Sequence, residues 1–224
     1  MSPEQIQGLV EQIERKDLST AAHTWRVVLY TRALLESFST DREMIALASQ
    51  AAALHDVGKL DIPDRILQKP GKLTNEEFEI IKLHPVMGFA KMITLKVSEE
   101  PIYNIVRYHH ERWDGLGYPF QIKGEEIPIG PRLFSVIDSF DAMTSVRPYR
   151  SELGDEAAER AIKELQAGIG TRYWPEGVEA FTDLFHTGKL DYILHYFNDD
   201  VPVPAFKAAR DEEFEEIRSH YKIN

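Results

Sequence analysis

Apolar residues recur at helical spacing through nearly every periodic segment of this chain, and the alternation of a half-buried strand is almost missing. That pattern predicts an all-α fold. Ser2-Pro3-Glu4-Gln5 supplies a capping hydroxyl, a proline at the first helical position and a glutamine three residues past the cap, so a helix begins there. Residues 20–38 place Ala22, Trp25, Val28, Leu29 and Leu35 along one apolar face. Residues 42–57 are rich in alanine and leucine, with Gly58 as a natural stop. Thr74-Asn75-Glu76-Glu77 is a capping box opening a helix that Pro85 breaks. Pro101 begins a helix running to His110, and Gly130-Pro131 begins one running to Ser145, with Pro148 closing it off. The exception is the irregular stretch 121–128, which reads as a hairpin or a loop. Val201-Pro202-Val203-Pro204 reads as a linker to a last acidic helix that serves packing or partner contact.

The 224 residues suffice for one domain with a real core and a small appendage. Cysteine is absent, which removes disulfides, thiolate metal sites and cysteine nucleophiles, and fits a reducing compartment. No apolar run approaches the ~18 residues that cross a bilayer, and the N-terminus lacks a signal peptide's features, so a cytoplasmic protein is expected. The net charge of −11 repels polymeric nucleic acid and anionic membrane. An anionic small molecule is still accommodated if metal ions and a few cations reverse the sign inside a pocket.

Five of the eight histidines precede residue 111: His23, His55, His84, His109 and His110. A lone histidine on an amphipathic helix is more often a hydrogen-bonded core or surface residue than a ligand, so His23 and His84 carry little singly. His55-Asp56 differs, because it ends the apolar run Ala51-Ala52-Ala53-Leu54. Burying an imidazole and a carboxylate there costs several kcal/mol unless something compensates them, and a cation does so directly. Asp138, among Val136, Ile137 and Phe140, repeats the argument. The side chains of His109 and His110 cannot both face one core. Imidazoles and carboxylates without thiols suit iron, manganese, cobalt, nickel or zinc. Six or seven such ligands exceed the needs of one tetrahedral ion, so two divalent ions sharing a bridging carboxylate are expected. Such a pair suits hydrolysis of a phosphate ester.

These residues sit in an ordered set that resembles the HD-GYP family. The set comprises His55-Asp56-Val57-Gly58-Lys59, Ile62-Pro63-Asp64, Lys69-Pro70-Gly71-Lys72-Leu73 and His109-His110-Glu111-Arg112-Trp113-Asp114-Gly115-Leu116-Gly117-Tyr118-Pro119. It continues with Lys123-Gly124-Glu125-Glu126-Ile127-Pro128, the segment from Asp138 to Asp141-Ala142, and Arg147-Pro148-Tyr149-Arg150. The resemblance covers residues 19–181, which divides the chain into an N-terminal helix over 1–18, an HD-GYP domain over 19–181 and a C-terminal helical extension over 182–224. It implies an HD-domain-like helical bundle around a dinuclear metal centre that hydrolyses cyclic di-GMP to pGpG or GMP, with iron or manganese as the usual metals. Carried over by position, His23, His55, Asp56 and Asp138 hold one ion, with Asp56 bridging, and His84, His109 and His110 hold the second. Lys59, one turn beyond the doublet, comes within reach of a phosphate or the metal-bound water, and with Asp56 it is expected to be catalytic. Asp141, Arg147 and Arg150 match positions that hold substrate phosphates or guanine, and a guanidinium fork suits a phosphodiester. The Gly117-Tyr118-Pro119 loop is linked in the family to diguanylate cyclase domains, although a structural turn explains it as well. Arg26 shares a helical face with His23 and is expected behind it, paired with a ligand carboxylate.

Two positions depart from the family pattern. Members with three metals carry a glutamate four residues before the first histidine, where this chain has Ser19, so two metals are expected. Trp174 stands where the family usually has aspartate before Pro175. With only a short helix ahead of the domain, regulation is expected in trans. Rival functions are hydrolysis of another cyclic dinucleotide or a mononucleotide, and a nearly inactive protein that senses the dinucleotide or binds a partner.

Overall fold

The computed structural model describes residues 1–17, 21–145, 155–197 and 219. Among them every regular element is helical: α1 (Pro3–Asp17), α2 (Ala21–Leu35), α3 (Arg42–Leu54), a 3₁₀ turn (Val57–Asp61), α4 (Asp64–Leu67), α5 (Asn75–Ile81), α6 (His84–Thr94) and α7 (Glu100–Tyr108). A second 3₁₀ turn (Gly124–Glu126) leads to α8 (Ile129–Thr144), α9 (Asp155–Ala167), α10 (Pro175–His186) and α11 (Asp191–Tyr196). The all-α expectation holds. The stretch 121–128 is a loop containing the second 3₁₀ turn, with no strand.

Both expected capping boxes are made. Ser2 Oγ accepts from Gln5 N at 3.3 Å while Gln5 Oε1 accepts from Ser2 N at 2.9 Å. At α5, Thr74 Oγ1 accepts from Glu77 N at 3.2 Å and Glu77 Oε2 accepts from Thr74 N at 2.8 Å. Helix α2 is buried on almost every side from Ala22 to Leu35, which makes it the axis of the bundle. Alanines of α3 (Ala48, Ala51, Ala52, Ala53) let its backbone approach closely, while Tyr30, Phe140 and Phe181 interlock α2, α8 and α10 with ring centroids 4.9–5.8 Å apart.

Two expectations about helix ends, at Gly58 and Pro85, need correction. Gly58 does not stop α3, which already ends at Leu54; it lies in the 3₁₀ turn. A Cβ there would stand 1.8 Å from the His84 carbonyl oxygen and 2.5 Å from Gly88 N, so glycine is required for the turn to press against α6. Pro85 does not merely break α5; it sits in the first turn of α6, where a missing N–H costs nothing. The division placed at residue 181 falls inside α10, and Leu190, Ile193 and Phe197 rejoin the core. The proline-rich linker and most of the acidic tail lie outside the described residues.

Candidate metal centre

The histidines and acids singled out above arrive at one place because three helices end or begin there. His55 caps the C-terminus of α3, His84 opens α6, and His109 caps the C-terminus of α7 with His110 following. Their rings form a continuous cluster, with centroids 5.4 Å apart for His55–His109, 5.1 Å for His84–His109, 4.2 Å for His109–His110 and 5.0 Å for His84–His110. His23 of α2 lies 5.6 Å from His55. Asp56 is the hub: Oδ2 is 3.1 Å from His55 Nε2 and 2.8 Å from Lys59 Nζ, and Oδ1 is 3.2 Å from His84 Nε2. Asp138, half-buried on α8, raises the His55 imidazole by its charge.

The donor set can be tested for a cation from its own hydrogen bonds. Nδ1 of His55, His84 and His109 lies 2.7, 2.8 and 3.0 Å from the carbonyl oxygens of Ala52, Ile81 and Ile105 respectively. A carbonyl only accepts, so each Nδ1 carries its proton and the other nitrogen, in the neutral ring, is an acceptor. Burial first, and then neighbouring histidines, hold His109 well below the usual imidazole range; burial likewise lowers His84 and draws His110 to about 3. His84 Nε2 and His109 Nε2 nevertheless face each other at 3.1 Å, with Asp56 Oδ1 at 3.2 Å from the first and 4.0 Å from the second. Three acceptors this close repel unless a positive charge lies among them. Atoms bound about 2.0–2.1 Å from one ion lie about 3 Å apart, so the arrangement fits a divalent cation. His84, His109 and His110 offer nitrogens all within 4.8 Å of one another.

Charge is graded across the site. Burial pulls against ionisation of Asp56, but His55 and Lys59 outweigh it and hold the carboxyl well below its usual range. Lys59 is disfavoured by burial, yet Asp56 and Asp17 keep it charged. Asp17 contacts Lys59 Nζ through Oδ2 at 2.8 Å. Sequence reasoning passed over Asp17. Its one signal was an acid on the last residue of a helix, the negative end of the dipole, where it needs a cation nearby.

Asp141 is buried between α2 and its own helix. The residue is 1% exposed, and its Oδ2 accepts from His23 Nδ1 at 2.7 Å while Arg26 Nε donates to Oδ1. Arg26 also donates to the Phe197 carbonyl at 2.7 Å and to Ser145 Oγ at 2.8 Å. Burial opposes ionisation of Asp141, but Arg26 and then His23 hold it well below the usual carboxylate range. Asp141 orients His23, and Arg26 stands behind the pair, holding Asp141. Arg147, Arg150 and Ser19 lie outside the described residues.

The loop after His110 contributes Tyr118, whose ring stacks on His110 at 4.6 Å and 28°. Burial, and then the charges of Asp56 and Asp138, push its hydroxyl above the usual phenol range. Trp174 stacks on Trp113 at 6.5 Å, with Arg132 over both rings at 5.4 and 5.5 Å. The departure from aspartate at this position therefore serves an aromatic contact that anchors the loop.

Comparison with known proteins agrees with this reading. The sequence model described as HD domain matches residues 9–177. A protein of Thermotoga maritima named cyclic di-GMP phosphodiesterase is 45% identical over 175 residues, covering 76% of this chain and 46% of the relative. A Vibrio cholerae protein named 3'3'-cGAMP-specific phosphodiesterase 2 is 36% identical over 183 residues, covering 80% of this chain and 34% of the relative. The chain thus spans less than half the length of these curated relatives. The crystal structure of a cyclic GMP-AMP specific phosphodiesterase from Vibrio cholerae shares the fold, with a TM-score of 0.66 at 18% identity over 98% of this chain and 58% of that one. Among the described residues no helix is long and apolar enough to cross a membrane. HD domain phosphohydrolases are metal-dependent, in keeping with the histidine cluster. This chain belongs to the HD domain family, and its motifs are those of the HD-GYP type.

Proposed function

We propose that this chain is a metal-dependent phosphodiesterase that hydrolyses cyclic di-GMP to pGpG or GMP. The observation that carries the proposal is the meeting of His84 Nε2, His109 Nε2 and Asp56 Oδ1 within 4.0 Å, all three as acceptors. Two divalent ions are assigned, iron or manganese ahead of zinc, cobalt or nickel. His23, His55, Asp56 and Asp138 would hold the first and His84, His109 and His110 the second, with Asp56 placed to serve both. When bound, such ions polarise a phosphoryl group and lower the pKa of water, which is the chemistry a phosphodiester needs.

The protein's own groups prepare that site. Asp56 presents its two oxygens on opposite sides, toward His55 and toward His84. Lys59 keeps an ammonium beside Asp56, where it draws in a phosphate against the chain's overall charge of −11. Arg147 and Arg150 supply the remaining positive charge to the phosphates. Asp141 accepts from His23 Nδ1 and so fixes the ring and tautomer of His23. A diguanylate cyclase domain, if it engages the Gly117-Tyr118-Pro119 loop, meets the flanking Leu116 and Phe120, which are 73% and 41% exposed. The cytoplasm is the compartment this reading assigns.

Resemblance to the Vibrio cholerae protein named for 3'3'-cGAMP favours a second reading in which that dinucleotide is the substrate. The deciding experiment is anaerobic purification and elemental analysis, followed by product identification with cyclic di-GMP and 3'3'-cGAMP side by side. Linear product from cyclic di-GMP, lost together with the metal in Asp56→Ala, supports the first reading. Preferential cleavage of 3'3'-cGAMP supports the second. Tight binding of either without turnover in the fully metallated protein defeats both and leaves a sensor.

A further inference from the structure

Three of the four clustered histidines are aimed by the backbone. His55, His84 and His109 each donate Nδ1–H to a carbonyl three or four residues back, at 2.7, 2.8 and 3.0 Å. His110 has no such bond among the described residues. Its ring is instead covered by Tyr118 at 4.6 Å and 28°, a stacked geometry, with His109 and His84 at its other contacts.

Tyr118 is delivered there by a loop wound back over its own root. Tyr118 N donates to the His110 carbonyl at 3.1 Å, and Phe120 N donates to Glu111 Oε1 at 2.7 Å. Glu111 is 3% exposed, with burial raising its carboxyl against the backbone amides that hold it. Gly117 lies so close to this root that a Cβ would stand 2.4 Å from Arg112 N and 2.6 Å from Glu111 Cα. The far side of the loop is tied down by Trp113 N to the Arg172 carbonyl at 3.2 Å and by Asp114 N to the Thr171 carbonyl at 2.8 Å. Lys82 Nζ lies 5.8 Å from the Tyr118 ring. So much fixing of one loop, at the expense of a buried carboxylate, is explained if the placement of Tyr118 matters.

We infer that Tyr118 is the positioning residue of His110, holding with its ring face the one clustered imidazole that no carbonyl aims. Gly117 allows the loop to fold onto Glu111, and Tyr118 then sets the plane of His110 by stacking on its face. The tyrosine thereby governs how tightly the ion assigned to His84, His109 and His110 is held, without touching the ion on the His55 side. This rests on the two-ion assignment made above.

The test is Mn(II) titration of metal-stripped protein, followed by calorimetry and by the paramagnetic signal of free Mn(II). Tyr118→Leu keeps an apolar bulk but no flat face; Tyr118→Phe keeps the face. Loss of an aiming contact around a metal histidine weakens binding about 10- to 100-fold. Tyr118→Leu should lose that much at one of the two Mn(II) steps, Tyr118→Phe should stay within about threefold of wild type, and melting temperatures of the metal-free proteins should agree. His110→Ala should weaken the same step. Wild-type binding by Tyr118→Leu overturns the inference alone, as does an equal loss in Tyr118→Phe. Failure of the wild type to take up two Mn(II) ions overturns the assignment beneath it, and the inference with it.

Discussion

Lys59 carries its ammonium to within 2.8 Å of Asp17 Oδ2, which joins the last residue of α1 to the side chain that also contacts Asp56. Both partners are about four-fifths buried, so the contact is only modestly screened. A hydrogen bond to a charged group contributes about 1.5 kcal/mol, or roughly tenfold in an equilibrium or a rate. Asp17→Asn keeps the shape and removes the charge. Turnover of the cyclic dinucleotide should fall about tenfold, with metal content unchanged and partial recovery in Asp17→Glu. Elemental analysis beside initial rates checks this; equal rates in Asp17→Asn and wild type contradict it.

Asp141 supports His23 from behind and is itself held by Arg26. Removing a carboxylate that orients a metal histidine costs about 10- to 100-fold in metal affinity, and breaking a buried ion pair costs about 3–5 kcal/mol of stability. Asp141→Asn should show both effects, by Mn(II) titration and by denaturant melts. The pH dependence has a definite sign. The folded carboxyl titrates below its unfolded value of about 3.9, so its contribution is complete above about pH 4 and is lost as the pH falls through the lowered folded value. The stability gap between wild type and Asp141→Asn should therefore be constant from neutral pH to about pH 4 and narrow below it.

His55 titrates in the other direction. Burial draws the imidazole down, but the Asp56 carboxylate outweighs it and raises the group to about 9. In the metal-free protein the gain in stability is complete below the unfolded value of about 6.5 and is lost as the pH rises through about 9. A metal entering at that nitrogen must displace the proton, whereas His84, His109 and His110 are already neutral. Mn(II) affinity should climb by up to about tenfold per pH unit from about 6.5 and level off near 9, with about one proton released from this side of the site. Calorimetry in buffers of different ionisation enthalpy counts that proton. A flat profile over this range refutes the His55 assignment.

How far the site could be read from sequence depended on whether each residue's role was local. His55, Asp56 and the His109-His110 pair stand out because polar groups at the ends of apolar helices need an explanation wherever the chain goes. Capping at Thr74 and Glu77 is likewise decided within four residues. Asp138 and Asp141 share one face of α8 at i and i+3, and nothing local says which looks toward His55 and which toward Arg26. Asp17 and Lys59 meet across 42 residues of sequence, and Arg26 meets the Phe197 carbonyl across 171. Such pairings exist only once the bundle has closed.

Gly58 gives the sharpest test of that long-range geometry. A glycine after an apolar helix looks like a helix stop, yet a methyl group here would lie 1.8 Å from the His84 carbonyl and 2.5 Å from Gly88 N, both backbone atoms that cannot swing aside. Accommodating it means moving the 3₁₀ turn away from α6, and overpacking of this kind costs about 1–3 kcal/mol. The same movement carries Asp56 away from His84, now 3.2 Å apart, so the metal site opens as the fold weakens. Gly8 on α1 has nothing within 4 Å of a built Cβ and supplies the contrast. Gly58→Ala should lower both the melting temperature and Mn(II) affinity, while Gly8→Ala should leave binding unchanged and stabilise the protein by about 0.5–1 kcal/mol, the usual gain for alanine over glycine inside a helix. Thermal melts and Mn(II) titration of the two variants make the comparison. Wild-type Mn(II) affinity in Gly58→Ala would mean that contact between the 3₁₀ turn and α6 does not hold the two halves of the site together.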